Sequence, residues 1–229
     1  MDAATHPGAG QLYARALVTV SEYEEASENI DALSATLKLV YGIQSNLALL
    51  GDVTYADLSA SGNDESGVLA STFQVKYRLF KRDFSPLNTW MASAFAGLTV
   101  PGDVGMMDGL DPYPRLSLAT TAILTRHGLN GELEWEACDD DPQRFNVNGS
   151  YLFRIKPVDY SVTTQGAWYL MLESLNQFTD EGDSRFDMAG GILYEARRWA
   201  CEASLRLPVA QDWQREDDYQ LTIGFRFLP

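Results

Sequence analysis

The sequence has few of the residues that usually carry catalysis or bind metal ions. Its 229 residues include two cysteines, Cys138 and Cys201, and two histidines, His6 and His127. Neither the cysteines nor the histidines have metal-site spacing, and neither histidine has a serine or acid spaced as in a nucleophilic triad. No P-loop or dinucleotide-binding fingerprint occurs. We therefore predict no enzyme activity, no cofactor, and no catalytic or metal-ligating residue.

Basic residues and long apolar runs are scarce as well. The chain has 17 lysines and arginines against 32 aspartates and glutamates, which gives a formal net charge of −15. This acidity argues against a nucleic-acid partner, because such proteins carry a basic surface. No apolar run approaches the roughly 18 residues of a transmembrane helix.

What the sequence does have is an alternation of apolar and polar residues along most of its length. In 219–227, every second residue from Tyr219 to Phe227 is apolar, and polar residues or glycine lie between them. The same pattern runs through 32–41, 68–79, 131–137 and 145–156. A period of two predicts β-strands, and no amphipathic helix is evident.

Turn-forming segments divide the chain at regular intervals into about twelve strands, most of them near the length of about 9–11 residues that crosses a bilayer. An even number of strands returns both termini to one side. We predict one β-barrel domain over 11–229 and a flexible tail over 1–10, with no linker or second domain.

The turns alternate in length and charge. The long acidic ones are 22–31, 60–67, 101–114, 139–144, 179–185 and 211–218. The turns between them are shorter or less acidic and carry Lys81, Arg82, Arg126, His127, Lys156, Arg197 and Arg198. Outer-membrane barrels have short periplasmic turns and longer extracellular loops. A soluble sandwich with solvated acidic loops is the alternative, but it gives no reason for this alternation.

Aromatic residues on the apolar faces of the strands fall into two rows. Near the short-turn end are Tyr41, Tyr77, Trp90, Phe153, Tyr160, Tyr194, Trp199, Phe225 and Phe227. Near the long-loop end are Tyr55, Phe145, Phe186 and Tyr219, whereas Trp135, Tyr151 and Trp168 are nearer the middle. Such rows are typical of the girdles of a membrane barrel. The predicted fold is therefore an all-β, transmembrane, antiparallel up-and-down barrel.

The opposite face carries many charged side chains and is predicted to face the lumen. The predicted lumen residues are Arg15, Lys38, Lys76, Arg78, Glu132, Glu134, Glu136, Arg154, Lys156, Glu173, Asp187, Glu195, Glu202, Arg206 and Arg226. Burying so many ions in a dry core would cost several kcal/mol each. They either select a permeant as channel-lining residues or form salt bridges that hold the strand register.

Strand order predicts some of the neighbours within this set. Glu132 and Glu134 should lie beside the strand that ends in Arg154 and Lys156. Glu202 should lie near Arg226 and Arg15, where the last strand meets the first. The acidic residues 132, 134 and 136 could also perform acid–base chemistry, but adjacent cations explain them more simply.

Three smaller features leave alternatives open. The acidic segments 139–141 and 179–184 could bind Ca²⁺ or form a solvated rim. Met106 and Met107 could form a constriction in the mouth or anchor their loop on the rim. Cys138 is predicted to point inward and Cys201 outward, so a disulfide between them is not expected.

The last two strands, 194–227, contain Trp199, Glu202, Ala203, Pro208 and Gln211, followed by Tyr219 and the Gly-Phe-Arg-Phe ending at 224–227. In these residues the chain resembles the MetA-pathway phenol-degradation family of outer-membrane proteins. The resemblance implies a barrel of about twelve strands that transports small, often aromatic, compounds. It transfers no site residues. Outer-membrane barrels usually end in an aromatic residue, whereas here Leu228 and Pro229 follow Phe227.

We therefore predict a monomeric barrel of the bacterial outer membrane, surrounded by lipid and lipopolysaccharide, that acts as a passive channel for small molecules. The N-terminal MDAATHPGAG has neither the charged region nor the apolar core of a signal peptide. The prediction thus requires that the sequence is that of the mature protein. A plugged structural or interaction barrel with acidic surface loops is the main alternative, and an outer-membrane enzyme is a further one.

Overall fold

A computed structural model describes residues 4–25, 28–60, 63–104, 109–138, 142–159, 164–212 and 215–227. The strands are β1 (Leu12–Glu25), β2 (Glu28–Gln44), β3 (Leu47–Ala60), β4 (Asn63–Ser85), β5 (Asn88–Pro101), β6 (Tyr113–Leu124), β7 (His127–Glu136), β8 (Arg144–Lys156), β9 (Gly166–Thr179), β10 (Ser184–Ala196), β11 (Trp199–Asp212) and β12 (Arg215–Phe227). Each pairs antiparallel with the next, and β12 pairs with β1 to close the barrel. The predicted fold class is confirmed.

None of the residues that the structure describes belongs to a helix that could cross a membrane.

The barrel has its apolar side chains outside and its polar side chains inside. In β12, Leu221, Ile223 and Phe225 are 41%, 60% and 49% exposed, whereas Gly224 between them is buried. This arrangement follows from the period of two, because successive side chains of a strand point to opposite faces. A soluble barrel would bury its large apolar residues, so the exposed apolar surface supports the membrane fold.

The strands are longer than predicted and range from 10 to 23 residues. Two of the predicted acidic loops consist largely of paired strand residues. In the first, 22–31, Glu22 pairs with Asp31, and only 26–27 separate β1 from β2. The other, 60–67, is reduced to 61–62 between β3 and β4. Beyond the bilayer both faces of a hairpin are wet, so its strands need no apolar alternation. The period therefore ends before the strand does.

The predicted alternation in turn length is only partly present. The connection between β8 and β9, at the short-turn end, spans 157–165. It is longer than the connections 26–27 and 213–214 at the opposite end. In 22–31 and 60–67 the paired strands account for the difference, because their residues pair with each other across most of the predicted loop.

β4 extends past its neighbour at the short-turn end. Leu47, the first residue of β3, pairs with Tyr77. The Arg78 amide donates a 2.8 Å hydrogen bond to the carbonyl of Asn46. Beyond this level β4 continues to Ser85, paired with β5 alone among the described strands. Arg78 thus lies at the short-turn end of the wall that β3 and β4 form together.

The N-terminal segment, residues 4–10, lies against the inner wall of the barrel. The Gly10 amide donates to the carbonyl of Gly42 at 2.7 Å, and Ala4 is completely buried. Gly42 must be a glycine here, because a Cβ atom at this position would lie 2.3 Å from the Gly8 carbonyl oxygen. Residues 4–10 belong to the segment 1–10 that we predicted as a flexible tail, and that division of the chain stays a prediction. The segment has no periodic pattern from which its placement could have been anticipated.

Candidate functional site

The barrel lumen brings together the predicted lumen residues with one exception. Their strand partners define the inward face: Arg15 is in register with Lys38 on β2 and with Arg226 on β12. Glu173 and Glu195 are likewise in register with the buried Ser150 and Ala200. The inner wall therefore carries charges of both signs around its circumference.

Lys156 is the exception. Strict alternation from Arg154 would place it in the lumen, but the register between β8 and β9 shifts between these two residues. Lys156 pairs with Trp168, whose side chain is exposed on the outer face. A β-bulge reverses the alternation in this way, because one extra residue changes the side of every residue that follows.

Glu202 is held by two arginines where the last strands meet the first. Its Oε1 accepts from Arg15 Nη2 at 2.5 Å, and its Oε2 accepts from Arg226 Nη2 at 2.5 Å. The Glu202 side chain is only 3% exposed, whereas those of Arg15 and Arg226 are 31% and 36% exposed. The predicted neighbourhood of these three residues is confirmed.

Asp187 on β10 has a similar environment. Its Oδ2 accepts from Arg185 Nε at 2.8 Å and from Arg206 Nε at 2.6 Å, and Arg185 also pairs with Asp217. The Asp187 side chain is fully buried. Sequence reasoning missed Arg185 and Asp217 because it assigned both to acidic loops. Arg185 shares the inward phase of β10, which is the signal that a longer strand would have revealed. Asp217 does not share the inward phase of β12, because the register between β1 and β12 shifts between Tyr219 and Asp217 and so turns it inward.

Glu134 on β7 lies beside β8, as predicted, but its salt bridge is with Arg115 on β6 and not with a cation at the end of β8. Its Oε2 accepts from Arg115 Nε at 2.6 Å, and its Oε1 accepts from Asn146 Nδ2 at 2.9 Å. Register is the reason: Glu134 is opposite Asn146, and Arg154 lies eight positions further along β8, which is roughly 26 Å of strand. Glu136 Oε1 is 3.6 Å from Arg115 Nε. Arg115 was missed because it directly follows a predicted loop.

These three groups of charges each join three consecutive strands. The Glu202 group joins β11, β12 and β1, the Asp187 group β10, β11 and β12, and the Glu134 group β6, β7 and β8. Each carboxylate is more buried than its arginines. Ion pairs of this kind favour the register in which their partners face each other across the wall. This supports a role in holding the strand register.

The N-terminal segment adds a second layer on part of the wall. The Ala4 amide donates to Thr121 Oγ1 at 2.8 Å, and Ser93 Oγ donates to the Ala4 carbonyl at 3.0 Å. Lys76 Nζ donates to the Thr5 carbonyl at 2.5 Å. Ala4 also packs in a buried apolar cluster with Leu50, Met91, Phe95 and Ala119. The segment therefore contacts the lumen side of β3–β6 and reduces the space inside the barrel.

The part of the chain that the structure describes contains no cluster of metal-binding side chains. Within the described ranges, no three His, Cys, Asp or Glu residues are grouped to hold a metal ion. In the 179–184 segment, Asp180 Oδ1 accepts from the Gln143 amide at 3.0 Å. The Asp183 amide donates to Thr179 Oγ1. Residues 139–141, Met106 and Met107 lie outside the described residues.

Aromatic rings form a continuous row on the outer face at the short-turn end. Trp168 contacts Tyr194 with ring centroids 4.8 Å apart, Tyr194 contacts Trp199 at 5.3 Å, and Trp199 stacks on Phe225 at 6.0 Å. Trp168, which the sequence placed nearer the middle, thus belongs to this row. Amphipathic rings favour the membrane interface, so the row marks one edge of the bilayer.

The two cysteines lie where the strand phase predicted. Cys138 is buried and Cys201 is exposed, and neither forms a disulfide.

Comparison with known proteins identifies the fold. The COG4313 outer membrane channel from Pseudomonas putida F1 is similar with a TM-score of 0.67 and 14% identity, over 96% of each chain. The NanC porin is similar with a TM-score of 0.56 and 8% identity, over 93% of this chain and 100% of that one. The KdgM porin, solved with oligogalacturonate, has a TM-score of 0.54 and 8% identity over 92% of this chain and 98% of that one.

No protein-family model matches the sequence, and no curated protein is similar to it. The resemblance of 194–227 to the MetA-pathway family therefore stays a prediction. The structural neighbours include outer-membrane channels and porins, and also LpxR from Salmonella typhimurium and the beta domain of the Bordetella autotransporter BrkA; the chain shares their barrel fold.

Proposed function

We propose that the chain is a monomeric barrel of the bacterial outer membrane that acts as a passive channel for small molecules. The observation that carries this proposal is the charged inner wall of a closed barrel whose outer face is apolar. Charged side chains are stable on such a wall only where water reaches them, since burying ions in a dry core costs several kcal/mol each. The channels and porins that share the fold support the same conclusion.

The permeants should be small and not strongly selected by charge. Twelve strands give a lumen between the filled eight-stranded barrels and the open sixteen-stranded porins. The N-terminal segment occupies part of that lumen. The wall carries both carboxylates and guanidinium groups, so neither cations nor anions meet a uniform field. Small aromatic or hydrophobic compounds are the class that the family resemblance implies.

Planar-bilayer recording tests the proposal directly. The purified protein should give small, long-lived conductance steps, and a variant lacking residues 2–8 should give larger ones. Heat-modifiable migration on gels confirms that both proteins are folded. If neither protein conducts ions after verified insertion, the channel proposal is wrong.

A plugged structural or interaction barrel is the second candidate. It is favoured by the contacts of the N-terminal segment, whose Ala4 is fully buried and whose backbone bonds to β4, β5 and β6. In that case the complete protein would be silent, and only the variant lacking residues 2–8 would conduct. The same recording therefore separates the two candidates.

A further inference from the structure

Arg78 differs from the five lumen arginines that form salt bridges. Arg15, Arg115, Arg185, Arg206 and Arg226 each contact a carboxylate. Arg78 contacts none among the residues that the structure describes, and its buried Nε has no hydrogen-bond partner there. The Nε atoms of Arg154 and Arg226 also have none, but Arg154 donates from Nη2 to the Val158 carbonyl and Arg226 donates to Glu202. A buried donor without an acceptor is costly. A guanidinium group in this state is suited to bind an acceptor that arrives from solution.

His6 of the N-terminal segment lies next to Arg78. Its Nε2 is 3.0 Å from the hydroxyl of Ser93, and Ser93 is directly opposite Arg78 in the register of β4 and β5. The Ser93 hydroxyl donates its one hydrogen to the Ala4 carbonyl. It therefore accepts from His6 Nε2–H, which leaves Nδ1 as the unprotonated nitrogen of a neutral ring. His6 Nδ1 is buried and has no hydrogen-bond partner among the described residues.

The surroundings of His6 are positive. Lys76, two residues before Arg78, is buried with its ammonium 4.8 Å from the centroid of the Phe95 ring. Burial, together with Lys76 and Arg78, lowers the pKa of His6 to about 4. An anion placed between His6 and Arg78 would reverse this effect, because it favours the protonated ring.

We propose that Arg78 and His6 form a binding site for a small oxyanion, a carboxylate or a phosphate, at the periplasmic end of the lumen. Arg78 Nε–H donates to one oxygen of the anion. A proton taken up from water on His6 Nδ1 supplies a second donor to the same anion. Chloride lacks the paired oxygens that these two donors address. That this anion is a permeant rests on the proposed channel function, whereas the binding site itself does not.

Histidine NMR tests the site without transport. The chain has only two histidines, so ¹⁵N-histidine labelling in micelles gives two imidazole signals, and His127→Gln assigns them. Inorganic phosphate, titrated at about pH 5 against chloride of equal ionic strength, should saturably shift the His6 signals toward the imidazolium form. The pH midpoint of His6 should rise by about one unit or more, since a neighbouring opposite charge shifts a pKa by about 1–3 units.

Arg78→Gln should weaken phosphate binding at least about tenfold, as expected for the loss of a charge-assisted hydrogen bond. Arg82→Gln is the matched control. Arg82 is on the same hairpin but pairs with the outward Trp90, and it should leave the titration unchanged. An unshifted His6 signal in the folded protein, or equal phosphate affinity in Arg78→Gln, would overturn the proposal. If phosphate shifts the His6 signal saturably but the protein does not conduct ions, the binding site is supported and only the channel proposal is wrong.

Discussion

Glu202 offers the sharpest test of how the lumen is stabilised. Glu202→Gln keeps the size of the side chain but removes the negative charge that faces Arg15 and Arg226. Breaking a buried ion pair by removing one partner costs about 3–5 kcal/mol in a dry interior. Both arginines are roughly one-third exposed, so water screens part of this cost. We expect the free energy of unfolding to fall by about 2 kcal/mol.

Urea unfolding in detergent micelles, followed by tryptophan fluorescence, measures this loss. The matched control is Asp83→Asn, which removes the carboxylate of the exposed Lys81–Asp83 pair on the β4–β5 hairpin. Water already solvates that pair, so the control should unfold like the original protein. A second variant, Glu202→Gln with Arg226→Gln, should recover part of the loss because one unpaired cation is removed. If Glu202→Gln is no less stable than Asp83→Asn, the lumen solvates ions as bulk water does and the reasoning is refuted.

Three further outcomes follow from the close contacts of the barrel. Gly42→Val should expel the N-terminal segment by collision with the Gly8 carbonyl, and bilayer conductance should rise toward that of the variant lacking residues 2–8. Gly97→Val should prevent folding, seen as lost heat-modifiability, because its Cβ would lie 2.1 Å from the backbone oxygen of Phe73. Trp199→Ala should lower the free energy of unfolding by about 1–3 kcal/mol through lost ring contacts, and an unchanged urea midpoint would contradict this.

The neighbours of Glu202 were predictable because an up-and-down barrel has only one strand order. Once the chain is divided into twelve alternating strands, the last strand must meet the first, and residues near their ends must approach each other. The partner of Glu134 was not predictable in this way. It depends on the register of β7 against β6 and β8, which a shift of a few residues would change completely.

Arg185, Asp217 and Lys156 show the same limit at strand ends. Arg185 and Asp217 belong to strands that continue beyond the apolar alternation, and Lys156 follows a shift in register that the alternation cannot reveal. The alternation of apolar and polar residues identifies a strand in the bilayer, and it ends where the strand extends into water.

The sequence by itself determined the barrel, its outward apolar face and the charged character of its inner wall, because side-chain alternation is a local property of each strand. Only the tertiary structure decided which charges pair, that Arg78 is left without a carboxylate among the described residues, and that the N-terminal segment lies inside. Those outcomes depend on register and on contacts between distant parts of the chain. His6 is the clearest case, since its place beside Ser93 and Arg78 joins residues more than seventy positions apart.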